Sequence, residues 1–205
     1  MTEKYFSVLS MLIIAVLMAA IPAVCAQTSP GDFTNEPDKN MASAHESFLK
    51  GEIKKAAEQI NKAAVYVKKE ADKVAEDTRE GVKKAGDDLD KLGQGVKKGT
   101  VKSSDELKKT FAKVDYELAK AWHKTADEVK KSGKDPSNAL KKAGAWIEGA
   151  AKWSVTQLKE GTHASIEAVK KVGKDAAKGA KAGAGEVDKW FKGIGEGIED
   201  VGRKL

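Results

Sequence analysis

Three histidines, His45, His123 and His163, are the side chains whose type best suits them to chemistry. Each has a carboxylate at helical spacing: Asp127 follows His123 by four residues, and Glu160 and Glu167 flank His163 within one turn. Histidine and carboxylate groups projecting from helices into a bundle interior are how such folds hold transition metals. Two features weaken that reading. No Glu-x-x-His motif recurs on two helices, and with 33% of residues charged an acid falls near any histidine by composition. The haem attachment sequence Cys-x-x-Cys-His is absent. His45, His123 and His163 therefore stand as candidate metal ligands, while no metal and no cofactor is expected. No Ser, His and Asp set has a spacing that suggests a triad, and no glycine run follows a strand to cradle a phosphate. The expectation is a protein with no catalytic residues, not an enzyme.

The elements that must position any site begin after residue 26. Met11 to Val24 is an apolar run behind Lys4, and Val24-Cys25-Ala26 before Gln27 supplies small residues at a cleavage site, so residues 1–26 read as a secretory signal peptide. An uncleaved membrane anchor is the alternative, although a span needs about 20 apolar residues. Export places the protein in the periplasm of a Gram-negative source or outside the cell. Cleavage removes Cys25, the one cysteine, and with it every disulfide, thiolate ligand and cysteine nucleophile. The net charge is +6, but lysines alternate with acids almost everywhere. That is a solvated helix face rather than a phosphate-binding stripe, so nucleic acid is not an expected partner.

Residues 27–40 hold two of the four prolines and no apolar period, and read as a flexible leader. From Met41 onward nothing alternates with period two, so the fold class is all-α with no sheet. Leu, Ile, Val and Phe make up only about 17% of the chain after residue 26. Alanine stands where a stout bundle would carry leucine, which implies close helices and a thin core.

A stripe runs from Ile53 through Ala57, Ile60, Ala64, Val67, Ala71 and Val74, then Thr78, Val82, Ala85, Leu89, Leu92 and Val96. It predicts one helix over about 42–98, some 85 Å long if unbroken at about 1.5 Å per residue, with kinking or fraying likeliest after Thr78. Ser103 and Glu106 form a capping box for a helix over 103–132, with Leu107, Phe111, Val114, Leu118, Ala121 and Thr125 on one face. Ser132-Gly133-Lys134-Asp135-Pro136 then stops that helix and starts another over 136–175, carrying Leu140, Ala143, Ile147, Ala150, Ser154 and Leu158. A short connection makes the two antiparallel neighbours. Trp122, Trp146 and Trp153 widen their apolar faces and are expected to fill space left by alanine.

Residues 173–185 read as a weak helix or hinge, since they carry no large apolar side chain. The helix over 183–205 restores the stripe in Val187, Phe191, Ile194, Ile198, Val201 and Leu205, but Gly193, Gly195 and Gly197 together cost it about 2–3 kcal/mol. Trp190, Phe191, Ile194 and Ile198 are its candidate contacts with a membrane or a partner, and docking on the bundle is the expected outcome.

The segments Lys68–Thr78 and Val172–Ala180, rich in Ala, Lys and acid, resemble the eleven-residue-flavoured helices of late embryogenesis abundant proteins and exchangeable apolipoproteins. The resemblance is compositional and covers about half the chain. It implies stress protection or lipid-surface binding by amphipathic helices, with no catalytic residues. Four tryptophans and the defined turn at Asp135-Pro136 depart from that pattern and favour a folded bundle. The expected protein is an elongated antiparallel bundle or coiled coil of 3–5 long helices in residues 41–182, with the C-terminal amphipathic helix after it. Its expected function is that of an exported, non-enzymatic interaction or structural protein, acting on a protein partner or by self-association. The alternatives are a membrane-surface or stress-protectant protein and a histidine-based metal or haem bundle.

Overall fold

The structure, a computed structural model, describes residues 35–175 and 183–205. Residues 1–26, the expected signal sequence, and residues 27–34 of the expected leader lie outside the described residues, as does most of the segment over 173–185. Seven helices follow: α1 Glu36–Leu49, α2 Ile53–Glu70, α3 Arg79–Lys97, α4 Ser104–Lys131, α5 Ser137–Ser154, α6 Glu160–Asp175 and α7 Ala184–Gly202. The fold is all-α, and among the described residues there is no strand.

Two expected boundaries are corrected. The leader ends at Asn35, not at residue 40, because Asn35 caps α1: its side-chain oxygen accepts the Asp38 backbone N–H at 3.0 Å, and Pro37 sits in the first turn, where its missing N–H costs nothing. The single helix over 42–98 is three helices. Gly51, at φ +75°, takes the left-handed conformation that ends α1, and Glu52 N–H bonds back to the Ser47 carbonyl at 2.8 Å. Between α2 and α3 the chain passes through two 3₁₀ turns, Ala71–Lys73 and Glu76–Thr78, with Val74 extended between them. Thr125 of α4 holds this break by accepting the Ala75 N–H at 2.8 Å. The stripe still faces inward across the second break: Ala57, Ile60, Ala64, Val67, Ala71, Val74, Val82, Ala85, Leu89, Leu92 and Val96 are all buried, with Ile53 and Thr78 half-buried. An 85 Å rod leaves that stripe uncovered, whereas three shorter helices cover it with each other.

α2 and α3 run antiparallel, Lys68 bridging Asp87 and Asp90 at 2.6 Å, and the missing side chains of Gly86 and Gly93 leave room for Lys68 and Asn61. α4 and α5 form the most extensively packed pair. Ser103 caps α4 through the Glu106 N–H at 3.3 Å, Gly133 turns at φ +74°, and Asp135 accepts both the backbone N–H (2.9 Å) and the hydroxyl (2.6 Å) of Ser137. The second arm stops at Ser154 rather than running to residue 175, because Val155 adopts φ +54°. That conformation is costly for a β-branched residue, and its side chain is 85% exposed, so no packing offsets the cost.

The stripe glycines of α7 have a packing role that helix propensity alone does not reveal. A Cβ on Gly193 would overlap the Ser165 side chain and lie 3.0 Å from the Gly161 carbonyl, and one on Gly197 would lie 2.5 Å from the Thr162 methyl. α7 therefore lies antiparallel and close against α6, with Trp190, Ile194, Ile198 and Val201 buried in the common core. Trp122, Trp146 and Trp153 are buried too.

Candidate functional site

Inside the bundle, where α1, α4 and α5 meet, two carboxyl groups face each other. Asp38 is 1% exposed and Asp115 is fully buried. Asp38 is set in the first turn of α1, and Asn35 both caps that turn and donates its amide to Asp38 Oδ2 at 2.6 Å. Asp115 stands in the middle of α4 among Phe111, Leu118 and Trp122, all buried. Gly149 of α5 makes the meeting sterically feasible. A Cβ there would sit 2.6 Å from Asp115 Oδ2 and 2.9 Å from Asp38 Oδ2. One turn further along α5, Trp153 packs edge-on against Phe111, with ring centroids 5.0 Å apart, and edge-on against His45, 5.9 Å away.

Two ionised carboxylates cannot share so dry a space. Burial pushes the Asp115 carboxyl well above its ordinary value of 3.8, and the negative charge and hydrogen bonding of Asp38 push it further. No backbone or side-chain N–H among the described residues donates to either Asp115 oxygen. Burial also raises Asp38, opposed by hydrogen bonds from Asp115, Asn35 and Trp153 and by the charge of Lys152. Both carboxyls are pushed up, so a proton shared between them is held beyond the pH at which an ordinary aspartate loses it, and the two titrate as a unit. Because this proton is held more tightly in the folded than in the unfolded chain, the pair's contribution to stability is greatest at low pH. It falls as pH rises above about 3.8.

Such dyads do general acid and base work where a substrate can reach them. Here no solvent does, which closes the pair to a substrate. Gly149→Ala is expected to lower stability by about 1–2 kcal/mol. Overpacking against two short, fixed side chains costs about 1–3 kcal/mol, and the better helix propensity of alanine returns up to about 1. Urea denaturation of the variant checks this, since an unchanged or raised midpoint means that Gly149 is not in contact with the carboxyls.

The three histidines are not brought together. His45 is buried on α1, and burial, with Lys108 next, holds its pKa below the ordinary 6.5. His123 is half-buried on α4, its Nε2 3.1 Å from the Phe191 carbonyl and its ring edge-on to Phe191. His163 is exposed on α6. Among the described residues no three His, Cys, Asp or Glu side chains converge on a point that would hold a metal. Of the C-terminal candidates, Trp190, Ile194 and Ile198 face the bundle, and Phe191 is half-buried beneath Lys130, whose ammonium lies 5.1 Å from its ring. No helix among the described residues is long and apolar enough to cross a membrane.

A surface groove of about 860 Å³ lies between α3 and α4. Its floor is apolar: Ala85, Leu92, Val101, Val114, Tyr116 and Leu205. Its walls alternate in charge, with Lys84, Asp88 and Lys91 along α3 and Glu106, Lys113 and Glu117 along α4. Comparison with family models, with curated proteins and with solved structures finds no match.

The carboxyl pair escaped the sequence reading, although one trace of it was available. Asp115 follows Phe111 by four residues and precedes Leu118 by three, an acid on the apolar face of an amphipathic helix. Asp38 gave a weaker sign, since Asn35-Glu36-Pro37-Asp38 carries a cap, an early proline and acids at a helix start.

Proposed function

We propose that the protein is an exported, non-enzymatic interaction protein whose α3–α4 groove receives an amphipathic helix of a protein partner. The observation that carries this reading is the groove itself, an apolar floor between two walls of alternating lysines and acids. Such a groove matches a helix with an apolar stripe and mixed charges along both edges, the arrangement by which helices dock into hydrophobic grooves. Lysine and acid in turn along each wall set register rather than attract a polyanion or a purely basic surface. Export rests on the pattern of residues 1–26. The absence of enzymatic activity rests on the sealing of the carboxyl pair and on a groove whose lining holds no histidine.

A photo-crosslinking residue in place of Asp88, compared with one at the exposed Lys171 on α6, tests the groove in the source cells. The reading expects a discrete product from position 88 alone, lost when Leu92→Lys is added. Circular dichroism of the chain from residue 27, with and without anionic vesicles, separates it from the membrane-surface alternative. Full helicity in buffer is expected. Helicity gained only with lipid, or cross-links equal at both positions, overturns the reading.

A further inference from the structure

The remainder of the molecule offers one group that the proposed function leaves unused, the buried carboxyl pair, and its position relative to α1 is what gives it meaning. α1 is the first described helix and its two ends are held differently. At the C-terminal end the chain turns through Gly51, whose left-handed backbone has open space around it. At the other end, Asp38 reaches across to Asp115 of α4 beside Gly149 of α5. Between these ends Met41, Ala42, Ala44 and His45 lie buried. A helix of 14 residues with a turn at one end and, at the other, an Asp38 carboxyl held by Asp115 and Trp153 can shift as a unit when the Asp115 contact changes from attraction to repulsion.

We propose that Asp38 and Asp115 form a proton-operated latch, which ties the start of α1 to α4 and α5 while the two carboxyls share one proton and releases it when that proton is lost. With the proton present, the interaction is a hydrogen bond from a carboxylic acid to a carboxylate. Without it, two negative charges meet in a space that water does not enter, and the attraction becomes repulsion.

The charged and titratable groups facing the pair come from all three helices. α1 contributes Asp38, with the neutral amide of Asn35 beside it, and α4 contributes Asp115. α5 contributes the charge of Lys152 and the neutral indole of Trp153, and nothing from Gly149. Lys152 acts on Asp38 alone, so it favours the ionised form of one member without neutralising a second charge. His45, two turns along α1, faces Lys108 and Asp105 of α4, and its lowered pKa places its own protonation on the acid side. Above that range His45 is neutral and adds no change of charge to that of the carboxyl pair.

Amide hydrogen exchange of the whole chain from residue 27, corrected for the intrinsic pH dependence of exchange, tests the latch. Across a pH series that rises from the ordinary aspartate range into the alkaline, protection of Met41 to Ser47 is expected to fall at least about tenfold relative to the α4–α5 core. In Asp115→Asn, and independently in Asp38→Asn, the pair cannot acquire two charges. Protection of α1 in both variants should then stay level over the same range. Level protection in the unaltered protein overturns the latch, as does an equal fall in either variant, or a fall in α1 matched by α4 and α5.

Discussion

Truncation that removes residues 183–205 is expected to lower the melting temperature of the remaining chain by about 6–12 °C. α7 buries Val187, Trp190, Ile194, Ile198 and Val201, and Ile194 is sealed completely against the bundle. Burial of one large apolar side chain contributes about 1.5–3 kcal/mol, so losing Trp190 and Ile194 alone removes at least about 3 kcal/mol before the other three are considered. For a chain of this size each kcal/mol moves the melting temperature by about 2–4 °C. Truncation also uncovers Thr162 and Ser165 on the face of α6 against which Gly193 and Gly197 lie. In the intact protein the blue-shifted emission of Trp190, buried without any lipid, is the companion observation. An unchanged melting temperature, together with a Trp190 signal that shifts only with anionic vesicles, contradicts the docked position.

Phe111→Ala is expected to cost about 3–5 kcal/mol, a large share of the stability of a domain this size. Phe111 is fully exposed to neither solvent nor cavity: it is sealed among α4 and α5 side chains, packs edge-on against Trp153, and stands one turn before Asp115. The core is rich in alanine, and small neighbours have little reach with which to collapse into a vacated ring, so most of the cavity should persist. Loss of the ring also removes the aromatic pair itself, worth about 0.5–1.5 kcal/mol beyond area. Guanidinium or urea denaturation gives the answer directly. A variant whose midpoint lies close to that of the parent contradicts the close packing of α4 on α5.

The chain announces its helices more clearly than their ends. The a/d-like stripes of α4 and α5 and the chemistry of Ser103, Gly133 and Asp135 are local, so they are legible from sequence: Leu107, Phe111, Val114, Leu118 and Ala121 of α4 and Leu140, Ala143, Ile147 and Ala150 of α5 are buried, although Leu158 falls beyond the end of α5. The breaks near residues 51, 75 and 155 are different in kind. Gly51 is one glycine among many, and the kink expected after Thr78 falls at the 3₁₀ turns around Val74, but an inward stripe left intact gives no sign that the chain reverses there. Val155 in a left-handed conformation runs against its own propensity, so nothing in its residue type marks the end of α5. The glycines of α7 were legible as a cost to helix propensity. Their contribution, a close approach to Thr162 and Ser165, requires knowing which helix lies opposite. The same holds for the carboxyl pair. Asp115 in an apolar stripe was visible, but only the folded chain brings Asp38 from α1 and the bare backbone of Gly149 to its side.

Carbon-13 NMR titration of the Asp38 and Asp115 side-chain carboxyls tests the shared proton on which this arrangement depends. The expected result is that the pair keeps one proton beyond the pH at which an ordinary aspartate, with its value of 3.8, has lost it, and that both signals move together when that proton leaves. Two independent titrations completed by about pH 5, each near the ordinary aspartate value, would contradict it.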